Sequence, residues 1–273
     1  MRTKLISAPY TIWMTLFIIV PMGLVAVFAF TDKSGAFTLD NILRVGQYSN
    51  VFLRSILLGA VATAISLLLG YPLAYIISKA KASRQSIMVM LVMLPMWMNF
   101  LLRTYAWMSL LEDNGLINNL LVAIGLPRVH MINTAGAVVL GMVYNYIPYM
   151  ILPIYSVLAK IDNSVIEAAQ DLGANGVKVF LKVVLPMSMS GVISGVTMVF
   201  VPAVSTFIIS KMLGGGGNLL IGDLIDMQFL GSAYNPNLGS AISLVLMVII
   251  MICMGIMNQF DDDEENMGGG MLL

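Results

Sequence analysis

Side chains able to perform acid–base or metal chemistry are few in this sequence of 273 residues. It holds one histidine, His130, and one cysteine, Cys253, so we expect neither a histidine-built metal site nor a disulfide within the chain. Lysine and arginine together number 14, as do aspartate and glutamate, and the formal net charge is zero. Nothing in this balance suggests a nucleic-acid-binding surface. The motifs that remain are suited to docking and to ligand binding rather than to catalysis.

One hydrophilic segment, from residue 160 to residue 187, is too long and too patterned for a simple connection. Its Ser164-x-x-Glu167 spacing is that of a capping box, which predicts the start of a helix. Gly173 predicts a stop, because glycine accepts the left-handed conformation that ends many helices. Residues 177–185 then predict a second amphipathic helix. The segment is therefore expected to form a helix–turn–helix.

Two carboxylates form a second candidate site. Asp223 and Asp226 lie three residues apart within the stretch Leu219–Leu230. If this stretch is helical, both side chains share one face, because residues three apart are neighbours on a helix. The pair could attract a cation or bond to a docked protein; the alternative is that it only solvates an interfacial helix.

The elements that must position these residues are membrane-spanning. The sequence is 59% hydrophobic and only 10% charged, and its mean hydropathy is +0.92. A helix needs about 20 apolar residues to cross a bilayer. Within the fifth predicted span, Gly191 and Gly195 form a G-x-x-x-G pattern that would let another helix approach closely. We predict an all-α polytopic protein with six transmembrane helices, at about residues 10–30, 55–78, 86–110, 136–158, 188–210 and 238–257.

The orientation is predicted from the basic loops. Lys79, Lys81 and Arg84 cluster between the second and third spans, which places that connection in the cytoplasm. Both termini are then cytoplasmic, as is the segment 160–187. Residues 1–260 are expected to form one transmembrane domain, and residues 261–273 a disordered acidic cytoplasmic tail.

The helical segment also resembles a known family. Glu167-Ala168-Ala169, then Gly173, then Val183-x-Leu185-Pro186 is similar to the EAA motif of permease subunits of bacterial ATP-binding-cassette (ABC) importers, with Val183 in the place of isoleucine. The resemblance implies the type I, MetI-like permease fold. It also implies that residues 160–187 are a cytoplasmic coupling loop that docks on an ATPase subunit. The coupling residues it implies are Glu167, Ala168, Ala169, Gly173, Leu185 and Pro186.

The same resemblance implies the partners. The sequence contains no G-x-x-x-x-G-K-[ST] pattern, so this chain is expected to hold no nucleotide through a P-loop and not to be an enzyme. ATP and Mg²⁺ would be bound by an ABC ATPase dimer. The family further implies a second permease subunit, an extracytoplasmic substrate-binding protein, location in the bacterial inner membrane, and transport by alternating access.

Stretches in the third span and its outer loop, and at residues 218–229, are similar to the spermidine/putrescine branch of these permeases. This implies a polyamine substrate. Because the predicted spans contain no carboxylate, the cation would be held by aromatic faces and by amide or backbone oxygens. The alternative is that the aromatic residues only pack helices or form a membrane belt. The candidate pathway residues are Trp97, Asn99, Tyr105, Tyr144, Asn145, Tyr149, Asp223 and Asp226.

The sequence leaves other substrates and other classes of transporter open. Relatives with the same loop import iron, sulfate, thiamine or phosphonates, and an ATP-independent secondary transporter or channel is a further alternative. Arg103, inside the third span, would repel a polycation. It is expected to face a partner helix, lipid headgroups or one of the outer-loop carboxylates Glu112 and Asp113.

Overall fold

The computed structural model describes residues 9–231 and 233–269, with the backbone alone for residues 258 and 260–269. That part of the chain contains no β-strand. Its helices, in chain order, are α1 Pro9–Ala29, α2 Asp40–Val45, α3 Ser49–Lys79, α4 Ala82–Trp97, α5 Phe100–Leu111, α6 Leu116–Ala123, α7 Ala135–Leu158, α8 Asn163–Asp171, α9 Gly176–Met187, α10 Met189–Ser205, α11 Ile208–Leu213, α12 Ile221–Phe229 and α13 Pro236–Gly269.

The lengths and composition of these helices confirm an all-α polytopic membrane protein. In the described residues, 4 helical segments are long and apolar enough to cross a membrane. Two further spans appear if each of two bent helix pairs crosses as one unit, giving up to 6. The four segments are Pro9–Ala29, Asp40–Lys79, Ala135–Leu158 and Pro236–Met257; the bent pairs are Ala82–Trp97 with Phe100–Ala123 and Gly176–Met187 with Met189–Ser205.

The third predicted span, 86–110, is not one straight helix. α4 and α5 meet at an angle of 86°. Pro95 cannot donate a backbone hydrogen bond in the last turn of α4. The side chain of Asn99 then accepts from the backbone N–H groups of Leu101 (2.8 Å) and Leu102 (3.3 Å). Asn99 is therefore an N-cap, and it starts a new helix where the sequence pattern predicted continuation.

The fifth predicted span, 188–210, also differs from expectation. α10 ends at Ser205, and Thr206 is extended before the short helix α11. The approach of α12 accounts for this ending, because a Cβ atom on Gly222 would lie 2.5 Å from the carbonyl oxygens of Ser205 and Thr206. The helix end therefore packs directly against the first turn of α12.

The helix of the last span runs past the predicted tail boundary at residue 260. Residues 261–273 were expected to form an acidic tail, and α13 continues to Gly269. No proline interrupts this stretch, and adding residues to an existing helix costs far less than starting one. Residues 270–273 lie outside the described residues.

The core is formed by α3, α7 and α10, which pack against one another. Glycines permit the closest contacts. A Cβ atom on Gly191 would lie 3.0 Å from the Cα atom of Ile154 and 3.0 Å from the carbonyl oxygen of Pro153. A Cβ atom on Gly195 would lie 2.9 Å from the sulfur of Met150. The close approach predicted from the G-x-x-x-G pattern is confirmed, and α7 is the helix that approaches.

We predict that Gly191→Val destabilises the protein by about 1–3 kcal/mol, because its side chain meets the backbone of α7, which cannot rotate away. Gly23→Val in α1 is the matched control, since nothing lies within 4 Å of a Cβ atom there. Thermal unfolding of the two purified variants measures the difference. Equal unfolding midpoints would contradict the packing described for α7 and α10.

Candidate functional site: a helical loop and a carboxylate cavity

The segment 160–187 folds as predicted in outline, with α8 and α9 joined by a tight turn; we call it the helical loop. Its first cap is not the expected one. Asp162 is the N-cap of α8, and its carboxylate accepts from the backbone N–H of Ser164 at 2.9 Å. This bond lowers the pKa of Asp162. The predicted Ser164–Glu167 capping box is therefore wrong, and Glu167 lies on the exposed surface of the helix.

The turn depends on the backbone conformation of Gly173. Its φ angle is +82°, its N–H bonds to the carbonyl of Gln170 at 2.8 Å, and the N–H of Ala174 bonds to the carbonyl of Ala169 at 3.1 Å. This is the Schellman arrangement that ends a helix. Nothing lies within 4 Å of a Cβ atom built on Gly173. The demand for glycine therefore comes from the positive φ angle, not from crowding.

α8 divides its residues between two faces. Ile166 and Ala169 pack against the core. Glu167 and Ala168 are exposed, and Leu172, at the end of the helix, has 90% of its surface exposed. Leu172 follows Ile166 and Ala169 at helical spacing in the sequence. It nevertheless belongs to the outward face, where a large uncovered apolar side chain suits a docking surface.

The second half of the helical loop is fixed to α3. The ring of Phe180 meets Tyr71 and Tyr75 edge-on, with centroids 5.6 Å and 6.0 Å apart. The hydroxyl groups of Tyr71 and Ser188 are 2.7 Å apart and form a buried hydrogen bond. At the tip of α3, Lys79 donates to the side chain of Asn163 at 3.1 Å. Sequence reasoning missed these contacts, because no local pattern reveals an aromatic pair formed across more than 100 residues.

The two remaining motif residues lie where α9 turns into α10. Leu185 is half-buried against the core, and Pro186 is exposed. Pro186 has no N–H, so it cannot donate to a carbonyl of the preceding turn. α9 and α10 then meet at 64°, with Ser188 at the bend. A displacement of α9 would therefore reach α10 directly through the main chain.

The predicted aromatic and amide candidates do not form one pocket. Asn99 uses its side chain to cap α5. Tyr144 packs edge-on against Trp107, with centroids 5.4 Å apart, and it lines an apolar groove between α3 and α7. Asn145 is buried and donates to the carbonyl of Gly141 at 2.9 Å. The other three are exposed in this chain: Trp97 by 73%, Tyr105 by 55% and Tyr149 by 38%.

Arg103 is buried, as its place in a span would suggest, but its expected partners are elsewhere. Asp113 pairs with His130 at 2.8 Å. Among the described residues, neither Asp113 nor Glu112 forms an ion pair with Arg103. The Nε and Nη1 atoms of Arg103 are buried without a hydrogen-bond partner in the described chain. Of the three alternatives expected for Arg103, a partner helix, lipid headgroups or an outer-loop carboxylate, only the carboxylate is contradicted by the described residues.

The predicted pair of carboxylates does share one face of α12, and both residues line a cavity of about 260 Å³, which we call the carboxylate cavity. Asp223 is buried, and one of its oxygens accepts from the N–H of Leu220 at 2.9 Å. Asp226 pairs with Lys211 at 3.1 Å. Burial raises the pKa of Asp223, and the nearby hydroxyl of Ser210 opposes that rise.

The helical loop and the carboxylate cavity lie at opposite ends of α3. At one end, Ser55 accepts a hydrogen bond from the N–H of Ile221, the first residue of α12, at 2.8 Å. At the other end, Lys79 contacts α8. The 24 residues between Ser55 and Lys79 span about 36 Å at 1.5 Å per residue. This separation matches the thickness of a bilayer, so the two sites belong to opposite membrane faces.

A helical membrane domain with a folded loop at one face and a small cavity lined by two carboxylates at the other favours a transport permease. The family model of the binding-protein-dependent transport system inner membrane component matches residues 2–262. The chain belongs to this family, and it is a multi-pass inner-membrane permease subunit. This confirms the family resemblance drawn from the motif around Glu167.

Named relatives and solved structures agree with this assignment. The spermidine/putrescine transport system permease protein PotB of Haemophilus influenzae is 36% identical over 88% of this chain and 87% of its own length. PotB of Escherichia coli K12 is 34% identical over 87% of this chain and 90% of its own length.

Two solved transporters show the fold at lower identity. A bacterial ABC transporter involved in the import of the acidic polysaccharide alginate has a TM-score of 0.77 at 20% identity, covering 96% of each chain. The inward-facing MetNI methionine ABC transporter has a TM-score of 0.59 at 14% identity, covering 79% of this chain and 95% of its own. These likenesses support the predicted MetI-like permease fold.

We predict that Phe180→Ala loosens the helical loop, because it removes two edge-on ring contacts worth about 0.5–1.5 kcal/mol each. Hydrogen exchange of the backbone amides in residues 163–187 should become roughly tenfold faster. Leu181→Ala is the matched control, because the side chain of Leu181, the next residue in the sequence, is 54% exposed. Equal exchange in the two variants would show that the aromatic contacts do not hold the loop.

Proposed function

We propose that this chain forms half of the translocation pathway of an ABC importer for polyamines such as spermidine and putrescine. The observation that carries the substrate class is the identity of 34–36% with PotB permeases over nearly the whole chain. Transport proceeds by alternating access, with a second permease subunit forming the other half of the pathway. A separate ABC ATPase dimer binds ATP and Mg²⁺, and an extracytoplasmic binding protein delivers the substrate.

A polyamine carries several positive charges, and its path must accommodate them. The predicted spans contain no aspartate or glutamate. Exposed aromatic faces such as those of Trp97, Tyr105 and Tyr149 are available instead, and each cation–π contact contributes about 0.5–2 kcal/mol. Contacts of this strength hold a cation without trapping it, which suits a pathway more than a storage site.

The helical loop is the part that converts movement of the ATPase into movement of the spans. The outward face of α8 offers a partner one charged, one small and one large apolar side chain, those of Glu167, Ala168 and Leu172. A carboxylate such as Glu167 suits pairing with a basic group across a docking groove. The anchors on Tyr71 and Tyr75 make the loop rigid with respect to α3. The bend at Ser188 passes its displacement on to α10.

The proposed docking of the helical loop on the ATPase requires this loop to be cytoplasmic, and we propose that both chain termini lie on the same side. The cluster Lys79, Lys81 and Arg84 supports the same assignment, because basic residues favour cytoplasmic loops. The carboxylate cavity then opens on the extracytoplasmic side, where the binding protein delivers its cargo.

We predict that Gly173→Val abolishes transport and releases the ATPase while the chain still inserts into the membrane. A β-branched residue cannot adopt the φ angle of +82° without strain, so the turn between α8 and α9 must change. Gly176→Val is the matched control in the same loop, because its φ angle is not positive and nothing lies within 4 Å of a Cβ atom there. The measurements are co-purification of the ATPase and uptake of labelled spermidine. A Gly173→Val protein that retains its ATPase and transports normally would contradict the coupling role.

The substrate class has its own test. Cells that lack endogenous polyamine uptake and express the complete importer should accumulate labelled spermidine, and excess putrescine should compete. Uptake should stop when the partner ATPase is inactivated. Sulfate, thiamine, phosphonates and ferric iron should not compete. ATPase-dependent uptake of one of these solutes, without polyamine uptake, would replace the polyamine assignment while leaving the permease assignment intact.

A further inference from the structure

The carboxylate cavity contains an acidic oxygen with an unused bonding capacity. Asp223 is only 6% exposed. Its Oδ2 atom accepts from the N–H of Leu220, whereas its Oδ1 atom is buried without a hydrogen-bond partner in the described chain. The nearby hydroxyl of Ser210 donates instead to the carbonyl of Phe207 at 3.0 Å. A buried carboxylate oxygen without a donor is costly. The site therefore gains from any donor that can reach this oxygen.

The second carboxylate of the cavity already holds a cation. The ammonium group of Lys211 lies 3.1 Å from Oδ2 of Asp226. The side chain of Asp226 is 18% exposed, whereas that of Lys211 is 67% exposed. Lys211 therefore reaches into the site from the solvent, where it pairs with Asp226 and also acts electrostatically on Asp223. A pair with one solvated partner contributes about 0–1 kcal/mol, so an incoming amine can displace Lys211 at little cost.

The remaining lining suits a molecule that joins an ammonium head to a methylene chain. Leu219 and Met227 supply apolar surface, and Ser210 and Asn218 supply polar groups. The volume of about 260 Å³ lies just below the roughly 300–1,000 Å³ of pockets that enclose drug-sized ligands. The cavity therefore has room for an ammonium head together with the methylene chain that follows it.

The wall of the cavity is held in place before any ligand arrives. Arg54, on α3, donates to the carbonyl of Gly217 at 2.8 Å and to the side chain of Asn218. Asn218 in turn donates to the carbonyls of Asn133 at 3.0 Å and Gly214 at 2.9 Å. These bonds fix the glycine-rich segment against two other parts of the chain. A wall fixed in this way loses little entropy when a ligand binds.

We propose that the carboxylate cavity is a subsite for a primary ammonium group, with Lys211 as its resident occupant. The terminal amine of a substrate replaces Lys211 beside Asp226 and donates to the unpartnered oxygen of Asp223. Its methylene chain lies against Leu219 and Met227. The assignment of polyamines as the natural ligand rests on the proposed function, but the subsite itself is defined by the chemistry of its walls.

Binding of labelled putrescine to the assembled membrane complex tests this subsite. The soluble binding protein is left out, so that its own ligand site does not contribute. Lys211→Gln should tighten binding about two- to fivefold, because it removes the tethered competitor. Asp223→Asn should weaken binding about tenfold, because it removes a charged acceptor. The Asp223→Asn/Asp226→Asn double variant should lose binding. Lys33→Gln, which removes a positive charge at the same membrane face outside the cavity, should change binding less than twofold.

The outcomes separate this inference from the proposed function. Unchanged or weaker binding in Lys211→Gln, or binding that survives the double carboxylate variant, overturns the subsite even if cells import polyamines. Absence of putrescine binding in all variants also overturns it. Tighter binding in Lys211→Gln without polyamine uptake by cells supports an ammonium subsite and overturns the polyamine assignment. Retention of the second permease and the ATPase in each purified variant shows that the variant has folded and assembled.

Discussion

The uninterrupted length of α3 is the constraint on which the rest of the structure depends. Ser55, near its first turns, bonds to the start of α12 beside the carboxylate cavity. Tyr71 and Tyr75, near its other end, hold the helical loop. The glycines of α10 allow close packing against α7, and both helices pack on α3. The two sites, on opposite membrane faces, therefore share one continuous helix, and the bent spans pack around it.

Sequence patterns predicted the features that depend on local chemistry. The lengths of the apolar runs predicted where the membrane spans lie, because a helix needs about 20 apolar residues to cross a bilayer. The glycine at position 173 predicted a turn, and its φ angle of +82° explains why glycine is required there. The spacing of Asp223 and Asp226 placed them on one face of α12. The cap of α8 was misplaced, since Asp162 and Ser164 are both good capping residues and the local pattern does not choose between them.

Features that depend on contacts between distant parts of the chain could not be predicted. The pairing of Asp226 with Lys211 and the anchoring of Phe180 on α3 need the folded arrangement. The break in the third span is different, because its signals, Pro95 followed by Asn99, are local. The prediction of one continuous span followed the strongly apolar residues around Pro95 and Asn99 rather than these two signals. Leu172 belonged to the apolar pattern of α8, yet its position at the end of the helix leaves it uncovered.

The helical loop is proposed to face an ATPase, while the carboxylate cavity lies at the opposite membrane face. Photo-crosslinking from two exposed leucines distinguishes these two faces. Leu172 is 90% exposed at the end of α8, and Leu230 is 84% exposed immediately after α12. A photoreactive amino acid replacing Leu172 in the assembled importer should crosslink to the ATPase, and the same replacement of Leu230 should not. Crosslinking to the ATPase from position 230, with none from position 172, would contradict the account.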